Sequence, residues 1–316
     1  MPDPSTMANR PHPASARAPR EPFPSLGVPG AAWPTLSSPV RRFAVPYALP
    51  GTVLALACAA LLWHGPILQP AHYHEFADQR AAFGLAHAAD VLSNLGFAVV
   101  GLMGIVGLAR NASSPLLAAG RDGWLLFFIA LLFTSVGSAG YHLAPDNARL
   151  VWDRLPIALA CAGLLAATWR ETIGVGRWVT PALAAGAVAA VAWWRLTDLQ
   201  GAGDLRPYLL LQLAPLVLVP LLQWQHEAPM RERLAVAGAM ALYLLAKLFE
   251  WADHGVLDAL AVVSGHTIKH LLATLAAALI GMALSWRVAT GGRASSATGP
   301  SSASIANAPA PARHGE

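Results

Sequence analysis

Charge is scarce in this 316-residue chain: Asp, Glu, Lys and Arg make up 12% of it, against 55% hydrophobic residues. So little charge excludes the solvated surface that two soluble domains of this length would carry, and with a positive mean hydropathy it points to a polytopic membrane protein. Cysteine is scarcer still. Cys58 and Cys161 both fall in apolar stretches without a CxxC pairing, which argues against a disulfide framework or a cysteine metal site and leaves them as small packing residues. The short alternating segments of a membrane β-barrel are missing, and no internal repeat stands out. The net charge of +4 calls for no nucleic-acid partner.

What is present is eight apolar stretches, near 46–64, 86–109, 123–143, 148–169, 178–194, 207–224, 234–251 and 264–286. Each is close to the ~20 residues that a helix needs to cross a ~30 Å hydrocarbon layer. The predicted fold class is therefore all-α, a polytopic transmembrane bundle of eight helices, because a helix satisfies its own backbone hydrogen bonds in lipid. Residues 1–43 and 289–316 are rich in Pro, Ala, Ser and Gly and read as disordered tails. Residues 44–64 form an extra N-terminal transmembrane helix. It reads as a retained signal anchor, being long, starting far from the N-terminus and lacking a small-residue cleavage site. Residues 65–288 make up the main membrane domain.

Basic residues fix the expected orientation. The tails and the loops on the N-terminal side hold most of the 21, including Arg41, Arg42, Arg110, Arg121, Arg170, Arg177, Arg231, Arg233 and Arg287. The opposite loops keep Arg80, Arg149, Arg195 and Arg206. Lys and Arg concentrate in short cytoplasmic loops, so both termini are expected in the cytoplasm. Trp193, Trp194, Trp224 and Trp286 fit an interfacial belt.

Against this apolar background, polar groups in the spans stand out. A central Asp, Lys or Arg costs roughly 2.5 to 3.5 kcal/mol on insertion scales, so such groups are functional candidates by default. His142 ends the third span, Asp153 follows in the early turns of the fourth, and His266 and His270 open the eighth. With the N-terminus inside, all three segments meet at one level in the outer half of the bilayer. His266 and His270 stand at i and i+4, on one helix face, and can share a single ion or simply hydrogen-bond. Ser138 and His142 share a face in the same way, with Gly137, Ala139 and Gly140 permitting close helix approach; the Ser138 hydroxyl is otherwise expected to bond its own helix backbone. Asp153, set among Val, Trp, Leu and Pro, must be paired with Arg154 or Lys269, protonated or liganded. Asp146 or Asn147 reads as a helix cap.

Three histidines leave zinc one open position for water, the arrangement of catalytic sites. Zinc lowers the pKa of its water to about 7 and polarises a carbonyl. Asp153 can relay the proton and Ser138 can donate to the developing oxyanion, which suffices for hydrolysis of an amide or ester. Ser93, Asn94, Lys247, Glu250, Asp253 and His254 fall at the same level and read as structural, with Glu250–Lys269 or Asp253–Arg154 pairing expected. His64, His72, His74 and His87 crowd the first outer loop and the start of the second span, where a second metal site is weighed against ordinary hydrogen bonding.

Ser138-xxx-His142, Asp153 eleven residues later and His266-xxx-His270 together resemble the signature of the alkaline ceramidases and their wider superfamily of seven-helix membrane hydrolases, which includes the adiponectin receptors. The similarity spans roughly residues 73–288, with His-Leu-Ala-Pro-Asp-Asn and Trp-Asp-Arg-Leu-Pro closest to the bacterial branch. The resemblance implies a seven-helix core preceded here by one further helix. It implies zinc on His142, His266 and His270, Asp153 at the zinc-bound water and Ser138 at the oxyanion. It also implies cleavage of ceramide to a sphingoid base and a fatty acid. The family's calcium site has its nearest counterparts in Glu75, Asp78 and Asp90, at a spacing that departs from the family pattern.

The expected function is thus a zinc-dependent membrane amidohydrolase acting on a membrane lipid, ceramide first, in a bacterial inner membrane with the site toward the periplasm. Rival readings are an acyl-ester lipase, a lipid-sensing receptor or scaffold with a structural zinc, and a metal or proton transporter.

Overall fold

The computed structural model describes residues 39–297; the tail residues 1–38 and 298–316, expected to be disordered, lie outside the described residues. The helices are α1 (Pro39–His64), α2 (Ala88–Ser93), α3 (Leu95–Arg110), α4 (Pro115–Ala118), α5 (Arg121–Leu143), α6 (Asn147–Ile173), α7 (Val179–Leu199), α8 (Arg206–Gln225), α9 (Met230–Trp251), α10 (Asp253–Leu260) and α11 (Gly265–Ala297). No strand occurs among the described residues beyond two isolated bridges. Eight spans, with α2 and α3 counted as one, are long and apolar enough to cross a membrane, and the chain is a multi-pass helical membrane protein. The first helix starts at Pro39 and the last runs on to Ala297, each past the boundary expected from hydropathy.

The α5–α6 pair is the most extensive contact of the bundle. α6 also packs on α7 and α8, α11 lies between α9 and α3, and α1 touches the rest mainly through α8. Apolar side chains such as Phe133, Val136, Val217, Leu248 and Met282 remain exposed on outward faces, as lipid contact requires. α5 and α6 approach closely for a local reason. Pro156 lies inside α6 and has no N–H to bond the carbonyl four residues back, which frees the carbonyl of Trp152. That oxygen faces Gly137 of α5, where a Cβ would come within 2.0 Å of it. Only glycine fits there, and the contact brings the turn carrying Ser138 against the turn carrying Asp153.

The second span is not one continuous helix, as its hydropathy predicts, but breaks at Asn94. The Ser93 hydroxyl and the Asn94 amide both donate to the Asp90 carbonyl, at 2.9 and 2.7 Å. They take the acceptor that the Asn94 N–H would use in an α-helix, and this N–H turns to Val91 at 3.3 Å. Such side-chain competition breaks helices locally.

The loop between α1 and α2 folds back over the end of the bundle. The Ile67 N–H donates to Asp204 and the Ile67 carbonyl accepts from Leu205 N–H at 2.8 Å, while Arg80 pairs with Asp78 and donates to the carbonyls of Ala261 and Val262. The hydrogen bonds from Arg80 hold Asp78 below the usual carboxylate range. Cys58 and Cys161 are both free and half-buried.

Candidate metal centre

His142 sits in the last turn of α5, and His266 and His270 in the first turns of α11. All three are buried, at 1%, 6% and 3% exposure. One ring nitrogen from each lies within 4.8 Å of the other two, and Nε2 of His142 and of His266 are 3.3 Å apart. Donors about 2.0–2.1 Å from a tetrahedral ion stand about 3.3 Å from one another, so the closest pair already has the required separation. Among the described residues this is the one group of three such donors close enough to hold an ion.

Neighbouring groups orient the imidazoles. Ser93 Oγ lies 2.8 Å from Nδ1 of His270 and spends its own proton on the Asp90 carbonyl. Nδ1 must therefore carry the proton of that pair, which leaves the Nε2 lone pair of His270 for a metal. A ligating imidazole held through its second nitrogen in this way is the usual arrangement. The start of α11 is held from outside its own sequence: Asp253 accepts the His266 backbone N–H at 2.7 Å and that of Ala77 at 2.9 Å. Ser264 caps Thr267 N at 3.1 Å, and Thr267 donates to Asp90 at 2.5 Å. A Cβ on Gly265 would fall 2.1 Å from the Phe249 carbonyl, so glycine is what lets α11 begin this close to α9. Phe76, from the loop, is buried against His142 and His266 in edge-type contacts, with centroids 4.6 and 4.4 Å apart.

Ser138 and Asp153, together with His270, Lys269 and Arg154, line a largely apolar cavity of about 310 Å³. From His270 to Ile280 it follows α11 for about 15 Å, at 1.5 Å per residue, between walls that include Phe97, Leu131, Leu164 and Val219. Ser138 makes no bond to its own helix backbone, whereas Thr134 one turn earlier does, to Ala130 at 2.9 Å. Asp153 forms no ion pair with any described residue. Lys269 instead pairs with Glu250 at 3.0 Å, Glu250 also takes Lys247, and the Lys269 ammonium lies 2.9 Å from Nε2 of His266. An ion on His266 would require that last contact to open, leaving Lys269 to Glu250.

The expected Asp253–Arg154 pair does not form, because Asp253 is committed to the two backbone N–H groups. Arg154 is 2% exposed, and its guanidinium stacks on Trp194 at 4.1 Å, with Tyr73 and Tyr208 at 5.0 and 5.4 Å. Trp194 is consequently fully buried and no part of an interfacial belt, while Trp193, Trp224 and Trp286 stay exposed. Asp146 caps α6, accepting Arg149 N at 2.7 Å. The loop histidines form no second centre among the described residues: His72 pairs with Glu75, His74 bridges Tyr141 and Asn147, and His87 bonds the Asp78 carbonyl. Glu75, Asp78 and Asp90 are each engaged by a different side chain, and do not gather as a calcium site would require.

Comparison with protein-family models and with curated proteins returned no match. Phe76 carries no signal in the sequence; the part played by Ser93 and Asp253 is hinted at only by their polarity at the membrane level of the histidines.

Proposed function

We propose that the protein is a zinc-dependent intramembrane hydrolase that cleaves the amide bond of a lipid, with ceramide the first candidate. One observation carries this reading: three buried imidazoles converge, and one of them, His270, lines an apolar cavity whose wall also holds Ser138 and Asp153. The donor set suits zinc, since three histidines leave a fourth position open. Zinc on His142, His266 and His270 would supply a Lewis acid and a water acidic enough to ionise near neutral pH.

The chain supplies the rest. Asp153, free of ion-pair partners, takes the proton of the attacking water and returns it to the leaving nitrogen. The Ser138 hydroxyl, unspent on its helix, donates to the carbonyl oxygen as charge develops there. The cavity along α11 receives the acyl chain, and Phe76 keeps bulk water from the centre. The resemblance to the alkaline ceramidases and the basic-residue distribution support the same reading, with both termini cytoplasmic and the centre beneath the outer headgroups. The test is metal content by elemental analysis together with fatty-acid release from ceramide and from a matched ester lipid. Wild type should hold about one zinc and release fatty acid from the amide, and His266→Ala should lose both. Release from esters alone would replace the amidase by a lipase.

A second reading follows from Lys269, whose ammonium stands at the nitrogen of His266. If it stays beside the centre and displaces water there, a bound ion ties α5 to α11 as a structural link and the cavity serves a lipid-sensing receptor. Zinc content without turnover on a broad lipid panel, and loss of helix packing in Asp153→Asn, are the results that select it.

A further inference from the structure

Arg154 is a buried cation without an ion-pair partner among the described residues. Nε and Nη1 of its guanidinium have no hydrogen-bond partner, and no carboxylate oxygen of a described residue lies within the 4.0 Å that defines an ion pair. Asp153 is its neighbour in sequence, but successive side chains on a helix diverge by about 100°. The three aromatic rings around it supply only the faces of π systems, which attract a cation but accept no in-plane hydrogen bond. A buried arginine is ordinarily met by a carboxylate or phosphate that takes its fork of donors. Arg154 and two of its rings, Tyr73 and Tyr208, line the cavity that also holds Ser138, Asp153 and His270.

We propose that Arg154 is the anchor for a lipid anion bound in this cavity. The anion is either an acidic group on the amine half of the substrate or the carboxylate of the released acyl chain. The aromatic cage fixes the plane of the guanidinium, so that its donors meet a planar carboxylate in a preset orientation. The cavity walls hold the attached hydrocarbon. The proposal rests on the reading of the cavity as an acyl-lipid site, but not on metal or turnover. It makes Arg154 a specificity residue, distinct from the histidines that hold the metal and from Asp153 and Ser138.

The test is binding to the full chain in detergent, read by tryptophan fluorescence, since Trp194 lies 4.1 Å from the guanidinium, and by calorimetry. The ligands are palmitate, hexadecanol, N-palmitoylglycine and N-palmitoylethanolamine. A charge-assisted contact predicts palmitate tighter than hexadecanol by about 10- to 100-fold in wild type. Arg154→Met should bring that ratio to near unity, and Arg154→Lys, which keeps the charge, should restore part of it. A preference for N-palmitoylglycine over its neutral analogue that disappears in Arg154→Met assigns the anion to the amine half. A preference confined to palmitate assigns it to the product. Equal affinity for palmitate and hexadecanol in the wild-type protein overturns the proposal and needs no variant to be folded; so does a preference that survives in Arg154→Met. His266→Ala separates the two readings, because it should abolish metal and turnover and leave the palmitate preference intact. A wild-type protein with the preference but neither metal nor turnover keeps the anion site and refutes the hydrolase.

Discussion

Replacing Ser93 by alanine is expected to weaken metal binding without unfolding the bundle. The hydroxyl lies 2.8 Å from Nδ1 of His270 and donates to the Asp90 carbonyl, so alanine removes the acceptor that fixes the ring's tautomer and plane. The nearest other side chain is the Asn94 amide, whose nitrogen is 3.4 Å from the same atom; as a donor it cannot take the Nδ1 proton. Loss of an outer partner of a ligating histidine costs about 10–100-fold in metal affinity, or about 1.4–2.7 kcal/mol. The removed hydroxyl is small and buried, and the break at Asn94 keeps its second support, the Asn94 amide on the Asp90 carbonyl. The helical circular dichroism of the protein should therefore be unchanged. Zinc competition against a chelator of known affinity, in detergent, gives the comparison. Ser93→Thr, which keeps the hydroxyl, should bind close to wild type. On a His270→Ala background, Ser93→Ala should add little, because the two residues act as one unit. An affinity within twofold of wild type, or an undiminished effect of Ser93→Ala when His270 is already gone, would refute the argument that this hydroxyl orients a ligand.

Asp153→Asn should retain zinc and lose roughly 10²- to 10⁴-fold in fatty-acid release, the range of general acid–base catalysis; equal turnover would remove Asp153 from the chemistry. Gly137→Ala sets a methyl against the Trp152 carbonyl, where a Cβ would lie 2.0 Å away, and should cost about 1–3 kcal/mol as an overpacked contact, seen as a lower midpoint in thermal unfolding in detergent. Asp204 lies in the loop before α8. Burial opposes its ionisation, but hydrogen bonds from Arg206, Trp193 and two backbone N–H groups bring its carboxyl down from 3.8 to about 2. A lowered folded-state value stabilises the fold above pH 3.8 and loses that contribution as pH falls through about 2. It should amount to on the order of 1 kcal/mol once solvent screening is allowed for. Asp204→Asn should accordingly lower stability at pH 7 and leave it nearly unchanged at pH 2.

Length and hydropathy alone determined the helical class and the eight spans long and apolar enough to cross a membrane. These follow from a one-dimensional requirement, that apolar runs match the thickness of the hydrocarbon layer. Histidines at i and i+4 necessarily share a helix face, so two of the three candidate ligands were legible without a fold. The partner of each polar group was not. Asp253 and Arg154 carry opposite charges at one level, yet one holds backbone N–H groups 13 residues on, at His266, and at Ala77, and the other is enclosed by aromatic rings. Trp194 looks like its exposed neighbour Trp193 in sequence, and only the facing of α7 against α6 buries it. The Gly137–Trp152 contact and the packing of Phe76 on His142 and His266 likewise depend on distances between separate segments. Periodicity and composition report which face of a helix avoids water. Pairing inside that face is set by the relative rotation and depth of packed helices, a property that arises only when the bundle closes.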